Sequence, residues 1–399
     1  MALTLSKKAS EVKPSSTLAI TAKAKALKAQ GVDLVGFGAG EPDFNTPDNI
    51  NDVACEAIRN GFTKYTPASG IEDLKKAVSE KFKTFNKVDY GVDQIVISNG
   101  GKHSLTNIFT AIINEGDEVV IPAPFWLSYP EIVKLAGGVP VIVTTTPEND
   151  FKITAQQLAE ACTDKTKAFV LNSPNNPTGM IYTREELEAL AKVIVEKDIY
   201  VVADEMYEYL IYGEDEHVSI ASLGKEIYDH TITCSGLSKS YAMTGWRIGF
   251  IAGPEWIVKA CNKLQGQYTS GPCSVSQKAA EAAYVGTQEP VKEMQKAFER
   301  RRDLIVKLAK EVPGFEVNVP QGAFYLFPKC SYFFGKSNGE RKIENSDDLA
   351  MYLLEDAHVA CVGGTSFGAP ECIRMSYATS DENIVEAIRR IKEALAKLK

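Results

Sequence analysis

Between residues 93 and 252 the chain alternates short apolar runs with helix-patterned stretches, and this alternation narrows the fold more than any other feature. The apolar runs are Asp93–Ser98, Glu118–Ile121, Pro140–Thr144, Ala168–Asn172, Ile199–Ala203, His230–Cys234 and Ile248–Ala252. Helical patterns fall at Lys102–Ile113 and Thr183–Lys197. Short Val- and Ile-rich runs separated by helices predict a largely parallel sheet covered on both faces.

Past this block the pattern changes. Lys292–Lys310 is charged and helical, Phe315–Val319 and Ala323–Phe327 read as strands around a Pro-Gln-Gly turn, Asp347–His358 is helical, and Asp381–Leu398 is an amphipathic closing helix. Residues 15–30 form one more helix, capped by Ser15 or Ser16 and stopped at Gly31. The expected architecture is α/β: a large domain with a mostly parallel sheet sandwiched by helices, plus a smaller α+β domain. With a boundary near Val285–Pro290, residues 1–47 supply an N-terminal arm and part of the small domain, 48–287 the large domain and 288–399 the small C-terminal domain.

Composition removes several classes of function. A net charge of −8 with dispersed basic residues argues against nucleic acid as a partner. No stretch is apolar for long enough to cross a bilayer, and Met1–Lys8 lacks the apolar core of a secretory signal and reads as a frayed arm. The 8 cysteines contain no C-x-x-C pair, and they read as free, mostly buried thiols of a reducing, cytoplasmic compartment. The 4 histidines are not spaced for a metal, so none is expected.

The run Ser235-Gly236-Leu237-Ser238-Lys239-Ser240-Tyr241-Ala242-Met243-Thr244-Gly245-Trp246-Arg247-Ile248-Gly249 carries the chemistry. A lysine among small residues suits a Schiff base with a carbonyl cofactor. Arg247 can grip a phosphate with its two-pronged guanidinium. One aldehyde and one phosphate on a small molecule describe pyridoxal 5′-phosphate.

Other segments fit the same ligand. Asn99-Gly100-Gly101-Lys102, between a strand and a helix, reads as a phosphate cradle, although such glycines also serve packing alone. Asp204 ends an apolar run and suits the ring nitrogen of a pyridine, with surface acid or helix cap as the bland alternative. Tyr207 can bond the ring oxygen. Asn172–Gly179 is a Pro- and Asn-rich turn with an amide to offer a ligand. Gly36–Gly40 lacks the G-x-G-x-x-G spacing, which excludes a dinucleotide fingerprint. Arg374, flanked by apolar residues, is either a structural ion pair or a clamp for a substrate carboxylate.

Together these residues resemble the class I aminotransferases of pyridoxal-phosphate fold type I, and within them the bacterial-type aspartate aminotransferases, from about Lys13 to Tyr377. The resemblance implies that Lys239 joins the cofactor and then moves the substrate proton, Asp204 pairs with the ring nitrogen, and Tyr207 and Asn176 contact the ring hydroxyl. It implies that Trp126 stacks on the ring and that Gly100, Gly101, Lys102, Ser238 and Arg247 hold the phosphate. Tyr65 would reach the phosphate of a neighbouring subunit, which implies a homodimer with shared sites. Gly40 and Arg374 would take the α-carboxylate, and Trp126 and Asn176 would also touch substrate. Lys102, assisted by Thr17, would read the distal carboxylate, and the segment around Thr17 would move as the small domain closes.

Two departures stand out: Gly236 replaces a serine found in some relatives, and no arginine lies between Arg247 and Arg300 to serve a partner's site as in vertebrate-type enzymes. The implied reaction moves the amino group of L-aspartate to 2-oxoglutarate in a ping-pong cycle. Its rivals are a prephenate, aromatic or branched-chain aminotransferase or a side-chain lyase of the same fold, and a non-catalytic cofactor-binding module.

Overall fold

The computed structural model describes residues 4–12 and 16–399. Seven strands form one sheet, in the order Ile95–Ser98, Gly249–Ala252, Thr231–Gly236, Tyr200–Asp204, Thr166–Asn172, Glu118–Ala123, Val139–Thr144. The last five are mutually parallel. Gly249–Ala252 runs antiparallel to both of its neighbours. The sheet expected from the apolar runs is therefore present, with Val139–Thr144 as a half-exposed edge strand rather than a buried one.

Alternation along the strands decides which helix each side chain meets. Val119, Ile121, Val170 and Val202 point to the face covered by Gly101–Ile112, Ser128–Ala136 and Glu255–Tyr268. Their neighbours Val120, Phe169 and Val201 point to the other face, against Leu187, Leu190 and Ile194 of the helix Arg184–Glu196. That helix starts on a reciprocal cap: the Glu186 amide donates to Thr183 Oγ1 at 3.2 Å, and the Thr183 amide donates to Glu186 Oε2 at 2.8 Å. Helices Asp48–Arg59, Glu72–Lys81 and Ser274–Val285 complete the same face over Ile95, Ile97 and Phe250.

A second core forms where Glu289–Ala309, Ser346–Asp356 and Asp381–Leu395 pack on a three-stranded antiparallel sheet of Val362–Gly363, Ile373–Ser376 and Tyr325–Leu326. Val35–Gly36 pairs in parallel with Val359–Ala360, so the early chain joins this later region.

Two expected strands differ. Phe315–Val319 is irregular, holding only the isolated bridge of Glu316 to Lys329; Val319 is 43% exposed, so little burial favours an extended ladder there. Ala323–Phe327 shrinks to Tyr325–Leu326, because Ala323 takes a left-handed φ of 57° that no strand accommodates.

Candidate active site

Parallel strands leave a crevice outside their carboxyl ends, and here that crevice becomes a cavity of about 270 Å3. Strand Tyr200–Asp204 delivers Asp204, the chain after Thr166–Asn172 delivers Asn176, and that after Thr231–Gly236 delivers Ser238 and Lys239. Trp126 follows Glu118–Ala123, and Gly101 and Lys102 open the helix Gly101–Ile112. Gly40, Tyr207, Arg247 and Arg374 complete the wall.

All predicted residues except Gly100, Tyr65 and Thr17 thus meet in one place. Gly100 lies directly behind the wall. Tyr65 is 99% exposed and lines no part of its own chain's cavity. Thr17 belongs to helix Ser16–Ala29, and its side chain lies outside the described residues.

The Lys239 amine donates to the Gly40 carbonyl. Burial pushes its pKa down to about 8; Glu41 opposes this, and the cations Arg374 and Arg247 add to it. Asp204 is 6% exposed and burial raises its carboxyl to about 6. The Tyr129 hydroxyl donates to Asp204 Oδ2 at 2.7 Å and the Met206 amide to Oδ1 at 3.1 Å, which restrains that rise. Acid and amine therefore both titrate nearer neutrality than their free counterparts, a pairing that active sites favour.

The anion side is equally distinct. Gly100 has a φ of 89°, and a Cβ there would lie 2.3 Å from Arg247 Nη2. A Cβ on Gly249 would meet the Gly101 amide nitrogen at 2.4 Å. Only glycine lets the loop, the strand and the guanidinium close up in this way. The Gly101 and Lys102 amides at this helix start have no acceptor among the described residues. Arg247 donates to the Thr244 carbonyl at 2.8 Å and forms no ion pair with a carboxylate among the described residues. The Lys102 ammonium stands 5.1 Å from the Trp126 ring centroid.

Arg374 is 2% exposed and has no carboxylate partner among the described residues. It donates to Asn176 Oδ1 at 3.0 Å and the Gly38 carbonyl at 3.1 Å, and its carbon lies 4.5 Å from the Tyr325 ring centroid. Its Nε is buried without an acceptor. A buried guanidinium with an orphaned donor is costly unless an anion completes it. Tyr207 shares a hydrogen bond of 2.8 Å with Tyr325. Asn176 donates to the Tyr207 oxygen at 3.5 Å.

Two participants escaped the sequence reading. Tyr129 sits on Ser128–Ala136 and reads as a core aromatic of a helix; Tyr325 lies in an apolar run. Neither has a local signal, since each acts through a residue far away in the chain.

The chain was compared with known proteins. A family model described as aminotransferase class I and II matches residues 32–391. An aspartate aminotransferase of Bacillus sp. (strain YM-2) is 53% identical over 95% of each chain. A probable aspartate/prephenate aminotransferase of Rhizobium leguminosarum bv. phaseoli is 49% identical over 96% of each. Among solved structures, an aspartate aminotransferase from Rhizobium meliloti superposes with a TM-score of 0.96 at 40% identity over 100% of both chains.

The fold is that of pyridoxal-phosphate fold type I, and the chain is a transaminase. The chain belongs to the class I and II aminotransferase family, whose enzymes work with pyridoxal phosphate.

Proposed function

We propose that this chain binds pyridoxal 5′-phosphate in the cavity and transfers the amino group of L-aspartate to 2-oxoglutarate. The observation that carries the reading is the set of unsatisfied groups around one space: two free amides at a helix start, Arg247 without a carboxylate, the orphaned Nε of Arg374, and an amine held near 8. These fit a phosphate, a carboxylate and an aldehyde. The cofactor, when bound, supplies an aldehyde that accepts an amino group and a ring that takes up the electrons of a breaking Cα–H bond.

The protein's residues do the rest. The Gly101 and Lys102 amides, Ser238 and Arg247 hold the phosphate, beside the partial positive charge of the helix start. The Asp204 carboxylate holds the proton at the ring nitrogen. Tyr207 and Asn176 bond the ring oxygen, and Trp126 covers the ring and shields it from water. Arg374, with Gly40 giving it room, clamps the α-carboxylate. Lys239 Nζ, a free amine at neutral pH for a useful fraction of the time, takes the Cα proton and returns it to the opposite carbon. One positioned base of this kind contributes about 10² to 10⁴ in rate.

The names of the relatives support a dicarboxylic amino acid as donor, and Lys102 is the cation placed to read its distal carboxylate. The Rhizobium relative favours a second reading in which prephenate is also accepted. A homodimer with shared sites is supported by the fully exposed ring of Tyr65. In this reading residues 48–287 are the cofactor-binding domain and 288–399 the smaller one, to which part of 1–47 is added beyond an N-terminal arm; the pairing of Val35–Gly36 with Val359–Ala360 supports this. No described helix is long and apolar enough to cross a membrane, and the cysteines are unpaired, which supports a cytoplasmic setting.

Borohydride reduction followed by peptide mass mapping should place the adduct on Lys239; an unmodified Lys239 sinks the reading. Single amino acids added to the protein should shift its visible band, aspartate most strongly. Lys102→Ala should weaken aspartate far more than an aromatic amino acid, and equal losses would remove Lys102 from the specificity role.

A further inference from the structure

Asp204 reaches the cavity as the last paired residue of the strand Tyr200–Asp204, and Tyr207 reaches it from the turn that follows, residues 205–208, outside any helix. The two glutamates interleaved with them, Glu205 and Glu208, line no part of the cavity and are 3% and 2% exposed. Both extend into a closed box. Lys81, the last residue of Glu72–Lys81, places its ammonium 2.5 Å from Glu208 Oε1. Asn86 donates to Glu205 Oε2 at 3.0 Å and to Glu208 Oε2 at 2.8 Å. His217 Nε2 lies 3.2 Å from Glu205 Oε2.

Ser235 ties in the strand that leads to Lys239, donating to Glu208 Oε1 at 2.7 Å and the Glu205 carbonyl at 3.2 Å. Aromatic rings close the walls: Lys81 Nζ is 4.4 Å from the Phe82 centroid and 5.5 Å from that of Phe250, and Phe85 stacks on His217 at 6.3 Å.

Burying two carboxylates in an aromatic box is costly, and groups so placed must be matched closely. Lys81 answers one charge, and His217 stands beside the other carboxylate. Burial by itself would raise the Glu205 carboxyl; His217 reverses this and leaves it below its ordinary value. Glu205, Glu208 and His217 bring potential metal-binding atoms within 4.8 Å of one another. The Lys81 ammonium already fills the cation's place there, so the box is an ionic staple rather than a metal centre.

We propose that Lys81, Asn86 and His217 are positioning residues for transamination: they hold Glu205 and Glu208, and thereby fix Tyr207 on the turn, and Asp204 at the strand end that leads into it, relative to the bound cofactor. This rests on the reading that the cavity holds pyridoxal phosphate. The box clamps a helix end, the functional turn and the strand before Lys239 at one point. The strand pairing of Asp204 ends where the turn begins, and the box fixes the course of that turn from the side away from the cavity, to the tolerance that catalysis needs.

The test compares the wild-type holoenzyme with Lys81→Met/Glu208→Gln, which removes the Lys81–Glu208 charge pair together, and with His217→Gln. The expected result is a cofactor dissociation constant raised by about tenfold, a displaced pH midpoint of the bound cofactor's visible band, and kcat reduced by about tenfold with KM for aspartate within about twofold. A merely structural box would lower the melting temperature and move neither the dissociation constant nor the band. That outcome in both variants overturns the proposal; should the double variant not fold, His217→Gln decides by the same measurements. A wild-type protein with no cofactor band overturns both readings, whereas an intact wild type with unaltered variants overturns only this one.

Discussion

The hydroxyl of Tyr129 donates to Asp204 Oδ2 at 2.7 Å, so a neutral donor supports an acid that is almost entirely out of water. Among the described residues Asp204 forms no ion pair. Burial raises its pKa to about 6, and Tyr129 and the Met206 amide are the groups that hold the rise in check. An acid held in this way ionises readily when a cation approaches, as the proposed ring nitrogen would.

Tyr129→Phe should raise the Asp204 pKa further, because a hydrogen bond to the charged form favours that form and its loss favours the neutral one. The acidic limb of the pH profile of kcat/KM should move to higher pH. At neutral pH the rate should fall by about tenfold, corresponding to roughly 1–2 kcal/mol for one lost bond to a buried charge. An unmoved acidic limb would show that Tyr129 does not control this acid.

Asp204 also makes a prediction about the cofactor-free protein. Its pKa is higher folded, at about 6, than the ordinary value of 3.8. The stability this group contributes is fully present below about pH 4 and is lost as the pH rises through about 6. Asp204→Asn should therefore unfold at higher urea than the wild type at pH 8, by up to about 3 kcal/mol, with the two converging near pH 4. Equal urea midpoints at both pH values would mean that the carboxyl is not strained by burial.

Arg374→Lys keeps the charge and loses the fork. With Nη1 on Asn176, Nη2 on the Gly38 carbonyl and Nε without an acceptor, the guanidinium keeps donor capacity for the proposed carboxylate. KM for amino acid and 2-oxo acid should rise together by about 100-fold, with kcat changed less. Stopped-flow titration of the half reactions separates the two; a loss confined to kcat would place Arg374 in the chemistry instead of binding.

Gly100→Ala should act on the cofactor through Arg247. Its φ of 89° and a Cβ 2.3 Å from Arg247 Nη2 force the guanidinium away from the helix start. Cofactor affinity should fall at least about tenfold, with a stability loss of about 1–2 kcal/mol from the left-handed backbone alone. Equilibrium dialysis measures the first and urea denaturation the second; full retention of affinity would mean that Arg247 does not share the cradle.

Much of this was legible without coordinates, for a physical reason. Parallel strands must be covered on both faces, so each run from Glu118–Ile121 to His230–Cys234 announces itself by apolar content alone. Where that rule relaxes, apolar content says less: Pro140–Thr144 is a strand as expected but lies at a half-exposed edge, and Phe315–Val319, expected as a strand, is irregular. Lys239, Arg247 and the glycines of the phosphate loop were equally visible, since small residues beside a cation are a local pattern.

The order of the elements, the lysine run and the acid ending a buried strand were therefore written in the linear chain, because each depends on neighbours a few residues away. Tertiary structure alone decided that Tyr129 supports Asp204, that Tyr325 lies between Tyr207 and Arg374, and that Lys81 is buried against Glu208. These partners are 75 to 127 positions apart or joined through a third residue. A hydrogen bond or an ion pair depends on distance in space, and no periodicity along a chain encodes which distant atoms the packed core will bring together.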